Sequence, residues 1–333
     1  MRPLSASPCG TRRSAATAGL TLVPGTVDYD HHVRGEIELY SKLFASEAAR
    51  EQLVEPAPAS WSEAEGRAAA LIRDATGADM VEHVVRRLRA RSETRLLSLG
   101  SGPGGLEIGF AQQVPQSRIF CLDLNEDLMA LGRDRAEELS LDVTFETADL
   151  NVAELPADEF DVVFCHAALH HLVNLEHVAD QIGRCLRKHG EFVVVDVITR
   201  NRYRMWPENE RAVVSLFRSL PARFRVNHTA YATPTIDDEI WHGDTGDGSM
   251  ECIRSEDVLP VIETYLDKHA FVPYYSISRR FLDSMYGPNF DLSQPLDCAL
   301  FNWLWEFDVH SLRNLELQPE TFFGLYGRRS ATG

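Results

Sequence analysis

A short apolar run, Leu96-Leu97-Ser98-Leu99, ends in Gly100-Ser101-Gly102-Pro103-Gly104-Gly105 and passes into Leu106-Glu107-Ile108-Gly109-Phe110-Ala111, which reads as a helix. A strand, a loop with four glycines and a helix start in direct succession leave few folds open. Glycine admits positive φ and places no Cβ between the chain and a ligand. The unit therefore presents bare backbone and a helix N-terminus to a bound group, as phosphate and nucleoside cofactors require. A plain tight turn has no use for so many glycines.

Outward from this loop the chain alternates strands with helices. Strands are predicted at 96–99, 118–122, 143–146, 160–165 and 190–198, with helices to about Gln113, over Glu126–Leu139 and over Glu176–Arg187. The last of these strands is almost continuously apolar, the mark of a parallel strand buried on both faces. Alternation of this kind predicts a Rossmann-like, doubly wound α/β sheet. Ahead of it, Met80, Val81, Val84, Val85 and Leu88 form one helical stripe in a segment from Asp79 to Arg91. After Ile198 the rhythm breaks: a helix from Pro207, an irregular Gly/Asp-rich stretch over 227–251, a helix over Ser255–His269, a strand at 271–277, a Trp-rich helix over Asp297–Leu312 and a strand at 321–326.

The expected organisation is a disordered leader over 1–27, a helical N-terminal cap over 28–92, a cofactor-binding core over 93–199, a substrate-covering insertion over 200–270 and completing strands and helices over 271–328. The chain has 333 residues, 44% hydrophobic and 25% charged, enough to bury a full core. A net charge of −17 argues against a broad nucleic-acid footprint. No apolar run reaches the roughly 20 residues that span a bilayer, so no membrane partner is expected. The six cysteines form no CxxC pair and no zinc-like spacing, which fits a reduced, cytoplasmic setting.

The loop's letters fit two cofactors. Gly100-x-Gly102-x-x-Gly105 matches a dinucleotide pattern, and Gly100-x-Gly102-x-Gly104 matches the one used for S-adenosylmethionine. Asp123, about 20 residues on at the end of the second strand, suits the ribose of either. Later residues break the tie: Thr147-Ala148-Asp149-Leu150-Asn151 after the third strand, His166-Ala167-Ala168-Leu169-His170-His171-Leu172 after the fourth, and the entry to the fifth at Gly190-Glu191-Phe192. Over residues 94–198 these motifs, in this order, resemble the class I S-adenosylmethionine-dependent methyltransferases, in particular their small-molecule branch.

That resemblance implies a seven-stranded sheet whose last two strands are antiparallel. It implies S-adenosyl-L-methionine as cofactor, with Ser98, Gly100, Ser101, Gly102, Gly104, Asp123, Leu124, Asp149, Leu150 and His166 at its site. The family often carries Asp or Glu two residues before the first glycine, whereas this chain has Ser98, a hydroxyl without charge. Where the acceptor must lose a proton, His serves near neutral pH, so His170, His171 and His166 are the catalytic candidates, His170 first. No metal is expected; an arrangement of His228, His242, Asp244 and Glu251 as ligands needs a fold-back that the sequence does not establish. The expected function is methyl transfer to a small molecule, a specialised metabolite, O-methylation ahead of N- or C-methylation. An NAD(P)-dependent oxidoreductase and a non-catalytic protein on the same fold are the alternatives.

Overall fold

Among the described residues, four helices precede the sheet, three of them with a side chain capping the N-terminus. In the computed structural model, which describes residues 22–53, 57–229, 233–245 and 248–330, they are α1 (Val27–Leu43), α2 (Glu47–Gln52), α3 (Ala59–Thr76) and α4 (Met80–Arg89). Most of the expected leader, residues 1–21, lies outside the described residues. Asp79 and Glu82 cap α4 reciprocally, each side chain accepting the other's backbone N–H. Its predicted stripe is its packing face, with Val84, Val85 and Leu88 buried.

The alternation that follows builds the sheet: β1 (Arg95–Leu99), α5 (Gly105–Gln113), β2 (Arg118–Asp123), α6 (Glu126–Glu138), β3 (Val143–Thr147), β4 (Phe160–His166), α7 (Leu175–Cys185) and β5 (Leu186–Val197). Then come α8 (Pro207–Ser219), a small ladder of β6 (Val226–Asn227) with β7 (Thr235–Ile236), α9 (Ser255–Tyr265), β8 (Leu266–Tyr274), α10 (Arg279–Leu282), α11 (Pro295–Arg313) and β9 (Thr321–Arg328). The main sheet has seven strands in the order β3-β2-β1-β4-β5-β9-β8. Strands β1 to β5 are parallel, and β9 is antiparallel to both β5 and β8. The Rossmann-like, doubly wound reading and the antiparallel final pair are thus realised.

Period-two alternation sorts the strand residues onto two cores. Leu96, Val162, Phe164, Val193, Val195 and Phe323 face α3, α4, α5 and α11. Leu97, Leu99, Val163, Phe192, Val194 and Phe322 face α7 and α9. Both sides of the sheet are therefore covered.

Several boundaries differ from expectation, chiefly at two helix–strand junctions, and the strand expected at 271–277 ends at Tyr274. Helix α7 stops at Cys185 rather than Arg187, and β5 begins at Leu186 rather than Gly190, because Leu186 already pairs with Phe160. A bulge takes up the residues between that pair and Val162–Glu191. Gly190 fits there because a Cβ would stand 2.9 Å from the Phe160 carbonyl. Likewise α9 ends at Tyr265, not His269, and β8 begins at Leu266 with an irregularity at Lys268–Ala270. Pro273 is tolerated in β8 because that strand is the sheet's edge. In the Trp-rich helix α11, Trp305 is buried, whereas Trp303 is exposed and stacks on Phe307. Among the described residues no helix is long and apolar enough to cross a membrane.

Candidate active site

The carboxyl ends of parallel strands, where the order reverses between β1 and β4, are where such sheets open to ligands. Here a cleft of ≈ 1190 Å³ runs along that edge, from Asp149 after β3 to Tyr274 at the end of β8. The glycine loop forms its floor. Gly100 takes φ +66° and lies so close to Ala168 that a Cβ would sit 2.3 Å from the Ala168 Cβ. Gly102 takes φ +54° with nothing within 4 Å of where its Cβ would be, so bare backbone faces open space there. The Gly102 N–H donates to Asp123 Oδ2 at 2.9 Å, and the Asn125 N–H donates to Asp123 Oδ1 at 2.9 Å. Asp123 is thus aimed by the loop and by the start of α6, and burial raises its pKa.

Helix α1 closes one side. The Asn125 side chain caps α6 and donates from Nδ2 to the Ile37 carbonyl at 3.2 Å and to Ser41 Oγ at 3.1 Å. Farther along α1, the Tyr29 hydroxyl donates to Asp149 Oδ2 at 2.7 Å and accepts from Asn151 Nδ2 at 2.9 Å. Glu36, Ile37 and Tyr40 complete this wall.

The loop after β4 is fixed from beneath by Asp196, which is fully buried near the end of β5. Its Oδ2 accepts the N–H of Ala168 at 3.1 Å and of Leu169 at 2.8 Å, and its Oδ1 meets His170 Nδ1 at 2.6 Å. The other His170 nitrogen, Nε2, lies 3.5 Å from Glu251 Oε1. His171 bridges Glu251 Oε2 at 3.4 Å and Glu36 Oε1 at 2.5 Å. Burial alone would lower the His170 pKa, but Asp196 and Glu251 outweigh it and raise it to about 10. Burial would likewise raise the Glu251 pKa, yet His171 and His170 hold it well below the carboxylate range. His166, at the end of β4, differs: burial lowers its pKa, which keeps the ring neutral.

Of the residues expected at the cofactor, Gly100, Ser101, Gly102, Asp123, Leu124, Asp149, Leu150 and His166 line this cleft, and so do the catalytic candidates His170 and His171. Ser98 and Gly104 do not. Ser98 lies buried behind the wall with its hydroxyl donated to Glu107 Oε1 at 2.6 Å. Gly104 turns into α5 at φ +77°, where a Cβ would strike the Phe145 ring. Sequence reasoning missed Glu36, Glu107, Asp196 and Arg279; it read Tyr29 only as part of a covering N-terminal segment, Asn151 only within the motif after the third strand, and Glu251 only as a metal ligand. Asp196 carried a signal, since an acid at the end of an apolar buried strand needs a reason; the others join only through tertiary packing.

The four residues weighed as metal ligands stay apart: His228 pairs with Asn289, and His242 with Glu210. Among the described residues, His170, Glu251 and Cys252 come near enough to share an ion. The protonated His170 and a Cys252 thiol that burial pushes well above its usual range leave Glu251 alone ready to ligate.

At the β8 end, Arg279 donates to the neutral Tyr203 hydroxyl at 2.7 Å and to Thr321 Oγ1 at 3.2 Å, and lies over the Trp61 ring. Tyr274, Trp61 and Thr321 share this part of the lining.

Comparison with known proteins agrees with this geometry. An uncharacterized methyltransferase of Bacillus subtilis (strain 168) is 25% identical over 114 residues, 34% of this chain and 44% of that protein. The ubiquinone/menaquinone biosynthesis C-methyltransferase UbiE of Hydrogenovibrio crunogenus is 26% identical over 117 residues, 34% of this chain and 46% of that protein. The 27-O-demethylrifamycin SV methyltransferase of Amycolatopsis mediterranei is 30% identical over 121 residues, covering 36% and 44%. The chain spans less than half the length of these relatives. Among solved structures, the geranyl diphosphate C-methyltransferase from Streptomyces coelicolor A3(2) aligns at a TM-score of 0.44 and 16% identity, over 75% of each chain, a likeness too loose to bear on function. The family model described as a methyltransferase domain matches residues 90–263, just over half of the chain. As the resemblance in its motifs implied, the chain belongs to this methyltransferase domain family.

Proposed function

We propose that the protein is an S-adenosylmethionine-dependent methyltransferase of a small-molecule acceptor. One observation carries the reading: the open backbone at Gly102, Asp123 at the end of β2 and Asp149 after β3 all line one cleft at the carboxyl edge of the sheet. The open side of Gly102 is a cradle that any side chain would fill, and the carboxylates suit a ligand that is cationic at one end and rich in hydroxyls at the other. Each Asp123 oxygen keeps lone-pair capacity after accepting one backbone N–H and would take the ribose hydroxyls. Asp149 and Leu150 would bound the adenine. When bound, the donor supplies an electrophilic methyl group on a sulfonium.

The chain's own residues then have positioning work. Asp196 fixes the loop after β4, α1 screens the cleft from water, and the acceptor enters from the β4 to β8 side. For the base, the geometry favours His166 over His170 and His171. His166 is neutral and able to accept a hydroxyl proton, while His170 is clamped between Asp196 and Glu251 and already holds its proton. A hydroxyl oxygen is the acceptor atom we favour. Arg279, whose hydrogen bonds go to neutral groups, supports an acceptor bearing an anionic group. The covering helices support a bulky metabolite, and the low positive charge supports no nucleic-acid partner.

Incubation of the protein and S-adenosylmethionine carrying a labelled methyl group with a metabolite extract tests this. Label is expected in an extractable acidic or phenolic small molecule and absent from nucleic acid. Lack of any transfer, with hydride exchange to NAD(P) instead, contradicts the reading.

A further inference from the structure

Three carboxylates border the cleft beside the glycine loop, and two have their oxygens engaged. Asp149 accepts from Tyr29 and Asn151, and Asp123 from the backbone of Gly102 and Asn125. The third, Glu107, stands on the first turn of α5, lines the cleft and is only 3% exposed. Ser98, from the adjoining strand β1, donates its hydroxyl to Oε1 and so fixes the carboxyl group from behind.

Among the described residues no cationic side chain compensates Glu107. Burial, with Asp123 adding to it, pushes its pKa up to about 7. A buried carboxylate without a countercharge is costly to keep. A carboxylate in the first turn of a helix is favoured by the helix dipole and by its own backbone N–H, but neither requires its side chain to line the cleft. The side from which a cation can approach is the cleft.

We propose that Glu107, positioned by Ser98, is the carboxylate that binds the ammonium group of the donor's amino-acid moiety. This rests on the methyl-donor reading and deepens it. It also accounts for the missing charge at Ser98: the negative group beside the glycine loop comes from the helix after the loop, and the strand keeps only the hydroxyl that orients it. On this account Ser98 and Glu107 act as a unit, and moving the charge back to the strand preserves the subsite.

The test titrates the full chain calorimetrically with S-adenosylhomocysteine, which has the ammonium group, and with 5′-methylthioadenosine, which lacks the amino-acid moiety. Glu107→Gln is nearly isosteric with the protonated side chain, so the fold is kept. It is expected to weaken S-adenosylhomocysteine binding about 10- to 100-fold, the scale of a buried charge-assisted hydrogen bond, and to leave 5′-methylthioadenosine within about twofold. Adding Ser98→Asp to Glu107→Gln is expected to restore most of the loss. An unchanged S-adenosylhomocysteine affinity, an equal loss for both ligands, or a double variant no better than Glu107→Gln overturns the proposal. A wild-type chain that binds neither nucleoside instead overturns the methyl-donor reading on which it rests.

Discussion

His166 and His170 lie four positions apart on the same strand end and loop, yet their surroundings give them opposite characters. His170 has a carboxylate at each ring nitrogen and carries a proton at neutral pH. His166 is half-buried, has no carboxylate among the described residues hydrogen-bonded to its ring, and is held neutral because burial lowers its pKa. General-base catalysis contributes about 10²- to 10⁴-fold. His166→Ala is therefore expected to lower kcat by about 100-fold with S-adenosylhomocysteine affinity kept within about threefold. Because burial depresses the His166 pKa, the acid limb of the wild-type pH–rate profile should have its midpoint below the ordinary histidine value of 6.5. A turnover unchanged by the substitution would remove His166 from the chemistry.

At the scale of elements, the cleft is a place where separate segments are tied together by buried polar groups. Glu251 comes from the stretch before α9, Glu36 from α1, Asp196 from β5 and the two histidines from the loop after β4. Breaking a buried pair leaves an uncompensated charge, which costs about 3–5 kcal/mol in a dry interior and less where water reaches. Glu251 is a quarter exposed, so Glu251→Gln should cost about 2–3 kcal/mol and lower Tm by about 3–4 °C. The signs of the shifts set its pH window. Glu251 and Asp196 are depressed, so their contributions stand above the ordinary carboxylate range and are lost as pH falls through their folded values. His170 is raised from 6.5 to about 10, so its contribution is whole below 6.5 and is lost as pH climbs through 10. Stability measured by denaturant should therefore fall on both the acid and the alkaline side in the wild type, and Glu251→Gln should flatten both limbs. Equal pH profiles for the two proteins would show that the cluster does not tie these elements.

For the whole molecule, the central sheet was legible because its signals are local. Four glycines within six residues, the period-two strands and the acids at strand ends each lie within a few residues of one another. Boundaries were less so where a bulge decides them: Leu186 looks like the end of a helix until its pairing with Phe160 is known. Most of the site that sequence missed is non-local. Tyr29 reaches Asp149 across 120 positions, and nothing in the letters around either residue encodes that meeting. Ser98 and Glu107 are the instructive pair. They are only nine residues apart, and the absent charge at one was visible, but its replacement by the other became apparent only when β1 and α5 were packed.

The claim that everything else depends on is the identity of the ligand on the glycine loop, since the same letters suit two cofactors. Isothermal titration of the wild-type chain with S-adenosylhomocysteine and, separately, with NAD(H) decides it most directly. The geometry of Gly102, Asp123 and Asp149 predicts saturable one-to-one binding of S-adenosylhomocysteine and none of NAD(H). Saturable NAD(H) binding with no heat from S-adenosylhomocysteine would contradict the account.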